Sequence, residues 1–82
     1  MRLPRQLAGD TLAHHLQILG YAITRQAGSH LRLTCLSPAE HHITIPRHDP
    51  LRIGTLAAIL ADIAAFHGIS RDELLQRLEL TS

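Results

Sequence analysis

The chain has 82 residues, 45% of them hydrophobic, a formal net charge of +1, and only Tyr21 and Phe66 as aromatics. That length makes one small domain spanning 1–82, and two aromatics exclude a stacking platform for single-stranded bases, which needs several rings on one face. All eight positive residues are arginine with no lysine, and the net charge is nearly neutral, so any anion-binding surface must come from local clustering rather than bulk charge.

Residues 2–9 read as a short arm punctuated by Pro4 and Gly9, without the apolar core of a signal peptide. Asp10 is placed to cap a helix, and Leu12, Leu16 and Leu19 recur at helical spacing until Gly20 stops it. From Tyr21 the period changes to alternation. Tyr21, Ile23 and Arg25 share one face; Thr24 and Gln26 share the other; Leu31, Leu33 and Cys35 alternate with His30, Arg32 and Thr34. A loop of Ala27, Gly28 and Ser29 is expected to pair Gln26 with His30 and Ile23 with Leu33, Gly28 supplying the positive φ that such loops want.

A second hairpin through Ser37, Pro38, Ala39 and Glu40 places Leu33 opposite Ile43 and Arg32 opposite Thr44. Pro46 ends that strand beside His30, and Arg47, His48, Asp49 and Pro50 form the exit. A helix then starts near Gly54 and Thr55, with Thr55 as its expected cap, and carries Leu56, Ile59, Leu60, Ile63 and Phe66 on one stripe until Gly68. Ser70 and Glu73 make a capping box for a last helix with Leu74, Leu75 and Leu78 as its apolar positions. The order α-β-β-β-α-α predicts an α+β two-layer domain: a three-stranded antiparallel sheet with helices on one face. The other face is expected to be polar throughout, with Thr24, Gln26, His30, Arg32, Thr34, His42 and Thr44.

The longest apolar run, Leu56 to Ala61, is stopped by Asp62 far short of the roughly 20 residues that span a bilayer, so no membrane partner is expected. Cys35 is the lone cysteine, which rules out an internal disulfide and points to a reducing, cytoplasmic setting; its place in the alternation puts it in the core. His41 and His42 are adjacent strand residues that point to opposite faces, and no Cys pair or HExxH motif accompanies them, so neither a metal nor another cofactor is expected.

His30 leaves a glycine turn onto the open face beside Arg32, with Arg47 and His48 brought near by strand pairing and Arg25 at the same sheet end on an undetermined face. A histidine near its ordinary pKa both takes and gives a proton at neutral pH, and guanidinium groups around it suit phosphodiester chemistry. From spacing alone, His30 reads more readily as an exposed strand histidine without a role, and Arg47 and His48 read as well as a surface loop with incidental charges.

The ordered pieces Leu3-Pro4, Leu19-Gly20-Tyr21, Arg25-Gln26-Ala27-Gly28-Ser29-His30, Thr44-Ile45-Pro46-Arg47-His48 and Gly54-Thr55-Leu56 resemble the HicA (YcfA-like) toxins, from residue 3 to about residue 68. The resemblance implies a fold similar to the double-stranded RNA-binding domain and an mRNA interferase activity in a type II toxin–antitoxin system. It also implies a catalytic histidine at the glycine-serine-histidine position, His30, and a HicB-like antitoxin that masks the site. Ser29, Arg32, Arg47, His48 and Arg25 are then the expected contacts to RNA phosphate, with His48 a candidate second proton carrier. The leading expectation is metal-independent cleavage of RNA; the alternative is a module of the same fold that binds RNA or protein without chemistry. Two features depart from the family: its usual lysines are missing here, and the Ser70–Leu78 helix extends the chain, either to complete the core or to meet the antitoxin.

Overall fold

In the computed structural model, which describes residues 3–80, the alternating segments form β1 (Ala22–Ala27), β2 (His30–Cys35) and β3 (His41–Pro46), an antiparallel sheet in the order β1-β2-β3. Helix α1 (Gly9–His15), tightening into a 3-10 turn at Leu16–Leu19, precedes the sheet, and α2 (Ile53–His67) and α3 (Arg71–Arg77) follow it. The first residue of the expected arm, Arg2, lies outside the described residues.

Alternation decides which side of the sheet is covered. Leu31, Leu33 and Cys35 from β2 and Ile43 and Ile45 from β3 are buried against Leu12 and Leu16 and against Leu56, Leu60 and Ile63 of α2. Side chains at odd and even positions point to opposite faces, so His30, Arg32, His42 and Thr44 are left outward on the uncovered face. The α+β architecture is therefore the expected one, with α-β-β-β-α in the order that the resemblance implies. Glycines 20 and 68 close the first and second helical segments as expected, and Ser70 accepts the Glu73 N–H at 3.1 Å to start α3.

β2 and β3 pair in the expected register, Leu33 with Ile43, Arg32 with Thr44 and His30 with Pro46. β1 does not. The loop has two residues, Gly28 and Ser29, so Ala27 rather than Gln26 faces His30. Gly28 has φ +57° at the first loop position, where a type II′ turn requires glycine. Ile23 still meets Leu33 because an irregularity between Ile23 and Arg25 absorbs the extra residue, Thr24. A one-residue shift turns side chains over: Arg25 now stands opposite Arg32 on the open face, and Gln26 opposite Leu31 on the other. Ile23 is half-exposed because β1 is an edge strand beyond the reach of the helices.

Two expected caps are replaced. α1 begins at Gly9 with Ala8 at the cap position, and Asp10 in the first turn binds Arg47 instead of the helix backbone. α2 begins at Ile53 with Arg52 at the cap position and no side-chain cap, so Thr55 lies inside the helix. The arm is pinned to the exit loop: Leu51 N–H donates to Leu7 C=O at 2.7 Å and Gly9 N–H to His48 C=O at 2.9 Å. No single helix among the described residues is long and apolar enough to cross a membrane.

Candidate functional site

The open face of the sheet is organised in three rows, set by the pairing of β2 with its neighbours. His30 heads the first row, between Ala27 and Pro46. Its side chain is exposed and takes no hydrogen-bond partner among the described residues. The turn before it is fastened to the third strand's exit, since Arg47 N–H donates to Ser29 C=O at 2.7 Å. That bond extends the ladder past Pro46 and holds Ser29, His30 and Arg47 in one backbone frame.

The second row is Arg25, Arg32 and Thr44. Like charges directly across a ladder repel, and neither arginine has an ion-pair or hydrogen-bond partner among the described residues. Two uncompensated guanidinium groups next to a free imidazole make a surface suited to an anion. The β1 irregularity creates this pair and puts Arg25, whose face was undetermined from sequence, opposite Arg32 on the open face.

Arg47 enters the neighbourhood by its backbone, while its side chain goes elsewhere. It follows Pro46 in the alternation and so leaves on the helix side, where Nε and Nη2 reach the two Asp10 oxygens at 2.9 and 3.0 Å. The Arg47 guanidinium holds the Asp10 carboxyl below the usual carboxylate range, through its hydrogen bond first and its charge second. Asp10 in turn raises Arg47 further. The fork is thus oriented by α1, with its remaining N–H groups available to a ligand. His48 is exposed, and its carbonyl, not its ring, is what the fold uses.

The third row was legible only as a list of polar residues. Thr24 Oγ1 lies 3.0 Å from Thr34 Oγ1, Thr34 Oγ1 lies 2.8 Å from His42 Nδ1, and His42 Nε2 lies 2.8 Å from Glu40 Oε2. Four side chains from both hairpins form one continuous string across the face.

A second polar cluster, under α2 at the opposite end of β2 from His30, has no counterpart in the sequence expectations. The buried Tyr21 hydroxyl lies 2.6 Å from His41 Nδ1 and 3.1 Å from His67 Nε2, and His41 Nε2 lies 3.2 Å from Asp62 Oδ1. The Asp62 carboxylate only accepts, so His41 donates its Nε2 proton to it, and the Tyr21 hydroxyl links His41 Nδ1 to His67 Nε2. Phe66 stacks on His41 at 4.1 Å between ring centroids, so it supports this cluster instead of joining the apolar stripe. Burial pushes the Tyr21 phenol far above its ordinary range, helped by the Cys35 and Asp62 charges, and keeps it protonated. Adjacent His41 and His42 point to opposite faces, as the alternation requires.

Burial, then His41 and Arg77, hold His67 below its ordinary pKa. The unfolded chain therefore takes up this proton first as pH falls. The His67 contribution to stability is expected to be complete above about pH 6.5 and to be lost as pH drops below that unfolded value. Urea midpoints across this range check it. His67→Gln retains an N–H donor for Tyr21 without titrating and is expected to flatten the decline; an unchanged pH slope in that variant would contradict the assignment.

Residues 9–64 match the family model described as HicA toxin of bacterial toxin–antitoxin. No curated protein and no solved structure matches the chain.

Proposed function

The chain belongs to the HicA toxin family of bacterial toxin–antitoxin systems, and from that premise we propose that it is an endoribonuclease that cleaves mRNA through His30 without a metal ion. Family membership makes it the toxin of a pair with a cognate antitoxin. The observation that carries the finer proposal is the free imidazole of His30 beside the uncompensated Arg25–Arg32 pair on the open face.

The chemistry follows from those groups. The 2′-hydroxyl of the RNA attacks the adjacent phosphorus, a bond to the 5′-oxygen of the next nucleotide breaks, and a 2′,3′-cyclic phosphate and a 5′-hydroxyl result. One proton leaves the 2′-oxygen and one arrives at the 5′-oxygen, and an imidazole near neutral pH serves either transfer. Arg25 and Arg32 hold the phosphate and stabilise charge that grows on its oxygens. Arg47, oriented by Asp10, and the Ser29 turn flank the same end of the sheet, and His48 is the candidate for the second proton. An HicB-like antitoxin in the cytoplasm blocks the toxin by covering this face.

His30→Ala is expected to lower RNA cleavage by about 10²- to 10⁴-fold, while EDTA leaves the wild-type rate unchanged. A His30→Ala protein that cuts at the wild-type rate overturns the catalytic assignment, and inhibition by EDTA overturns metal independence. A wild-type chain that binds RNA in a salt-dependent way but leaves it intact is the outcome for a non-catalytic module of the same fold.

A further inference from the structure

Strand β1 leaves one edge of the sheet unpaired, and all six of its residues are exposed. The bond from Arg47 N–H to Ser29 C=O fixes which backbone groups face outward there. Ladder bonds alternate along an antiparallel strand, so the odd-numbered residues of β2 bond to β3 and the even-numbered ones to β1. Ile23 and Gln26, which stand opposite Leu33 and Leu31, therefore point their N–H and C=O groups away from the sheet. Among the described residues, none of the backbone bonds that tie loops and turns together involves residues 22–27. We propose that the antitoxin adds a strand of its own to this edge, and that the strand reads apolar, apolar, acidic. The inference rests on the reading that the antitoxin covers the open face, and it names the mode and the sequence pattern of that cover.

The side chains along the edge set the pattern. Thr24 and Arg25 share one step of the ladder, so Ala22 and Arg25 lie two steps apart on the open face. Beside Ala22 is a groove of about 380 Å³ lined by Leu19, Ala22, Thr24, Thr34, Leu36 and Ser37, with Leu36 73% exposed. An apolar side chain of the added strand fills it. At the next open-face step, Arg25 and Arg32 have no counter-charge among the described residues, and a carboxylate two positions along the strand supplies one. The residue between these two points to the helix side, next to Ile23, whose 50% exposure an apolar neighbour reduces.

Charge selects the partner. A second copy of this chain would pair β1 with β1. Full-length antiparallel pairing of these six residues brings the two Arg25 side chains to adjoining positions, where they repel. An acidic strand meets no such penalty. RNA offers the arginines a phosphate but has no row of amides to complete a strand edge. A strand seated here also occupies the arginine pair, so antitoxin and RNA exclude each other.

The test uses the full chain, its full-length cognate antitoxin and a labelled single-stranded RNA. The Ile23 and Gln26 amides are expected to exchange at least tenfold more slowly in the complex than in the free chain. Gln26→Pro removes one outward N–H at a position where an edge strand accepts proline. It is expected to weaken antitoxin binding about tenfold, because a carbonyl of the added strand is left unpaired. Gln26→Ala keeps the N–H and is expected to bind as the wild type does. Arg25→Glu is expected to weaken binding about fivefold by facing the acidic residue with a like charge. The exchange measurement uses the unaltered chain and decides the matter if the proline variant does not fold. A complex that excludes RNA while its β1 amides exchange at the free-chain rate overturns strand addition and leaves the covered face standing. An antitoxin that changes neither β1 exchange nor RNA binding overturns both.

Discussion

Gly9→Ala is expected to lower stability by about 2–6 kcal/mol, although it adds one methyl group at the start of a helix where alanine is normally preferred. A Cβ built at Gly9 falls 2.0 Å from the Pro46 carbonyl oxygen and 3.2 Å from Ile45 Cγ2. The first of these is backbone and has no rotamer through which to yield. α1 must therefore lift from the end of β3, and lifting it breaks the bond from Gly9 N–H to His48 C=O and strains the Asp10–Arg47 fork. Overpacking contributes about 1–3 kcal/mol, and an unsatisfied buried backbone group about 1–3 kcal/mol more. At about 4–8 °C per kcal/mol for a domain of this size, the melting temperature falls by at least about 8 °C. Gly54→Ala is the control: nothing lies within 4 Å of a Cβ there, and α2 is expected to gain about 0.5–1 kcal/mol. Thermal unfolding of the two variants decides the matter. Equal melting temperatures would mean that α1 rides farther from β3 than the close approach of Gly9 requires.

The same close approach shows which parts of the fold were legible in the sequence. Leu33 against Ile43 and Arg32 against Thr44 could be read because both strands alternate cleanly and only one register buries both apolar sets. β1 could not be read as securely. A three-residue loop without a bulge and a two-residue loop with one both place Ile23 opposite Leu33, and nothing local separates them. The difference nevertheless decides whether Arg25 or Gln26 joins the open face. Asp10 looked like a helix cap because capping is a local pattern, whereas its true partner, Arg47, is 37 residues away. Gly9 was visible only as punctuation, since the contact that demands glycine comes from another element.

The site divides along the same line. His30 and Arg32 were legible from a turn and an alternation. The string from Thr24 to Glu40 joins residues from three strands and a loop, and sequence placed Glu40 merely in a hairpin. Tyr21 comes from the link before β1, His41 from β3 and His67 from α2, and no spacing rule unites them. Apolar pairing is repeated along a strand and leaves a periodic trace; a polar network is made once and leaves none.

Removal of α3 is expected to abolish folding, although the family match ends at residue 64 and this helix lies beyond it. A seven-residue helix has no stability of its own in water, so α3 exists because of what it buries. Leu74, Leu75 and Leu78 are all 0% exposed, and they belong to the one apolar core that α2 also packs into. The Leu78 carbonyl also accepts a hydrogen bond from His15 Nδ1 at 2.7 Å, which ties the last helix to the first. Three leucines at about 1.5–3 kcal/mol each amount to roughly 5–9 kcal/mol, against a total of about 4–12 kcal/mol for a chain of this length. A chain ending at Gly68 is therefore expected to show no cooperative thermal transition. Leu75→Ala alone is expected to cost about 2–5 kcal/mol and still fold, and Ser70→Ala about 1 kcal/mol through its lost cap. If α3 served only to meet the antitoxin, the truncated chain would melt within a few degrees of the full one and fail only to bind its partner. Its outward side, with Gln76 exposed and Arg77 paired to Glu73, is open to such a contact, but the leucine side is already occupied by the core.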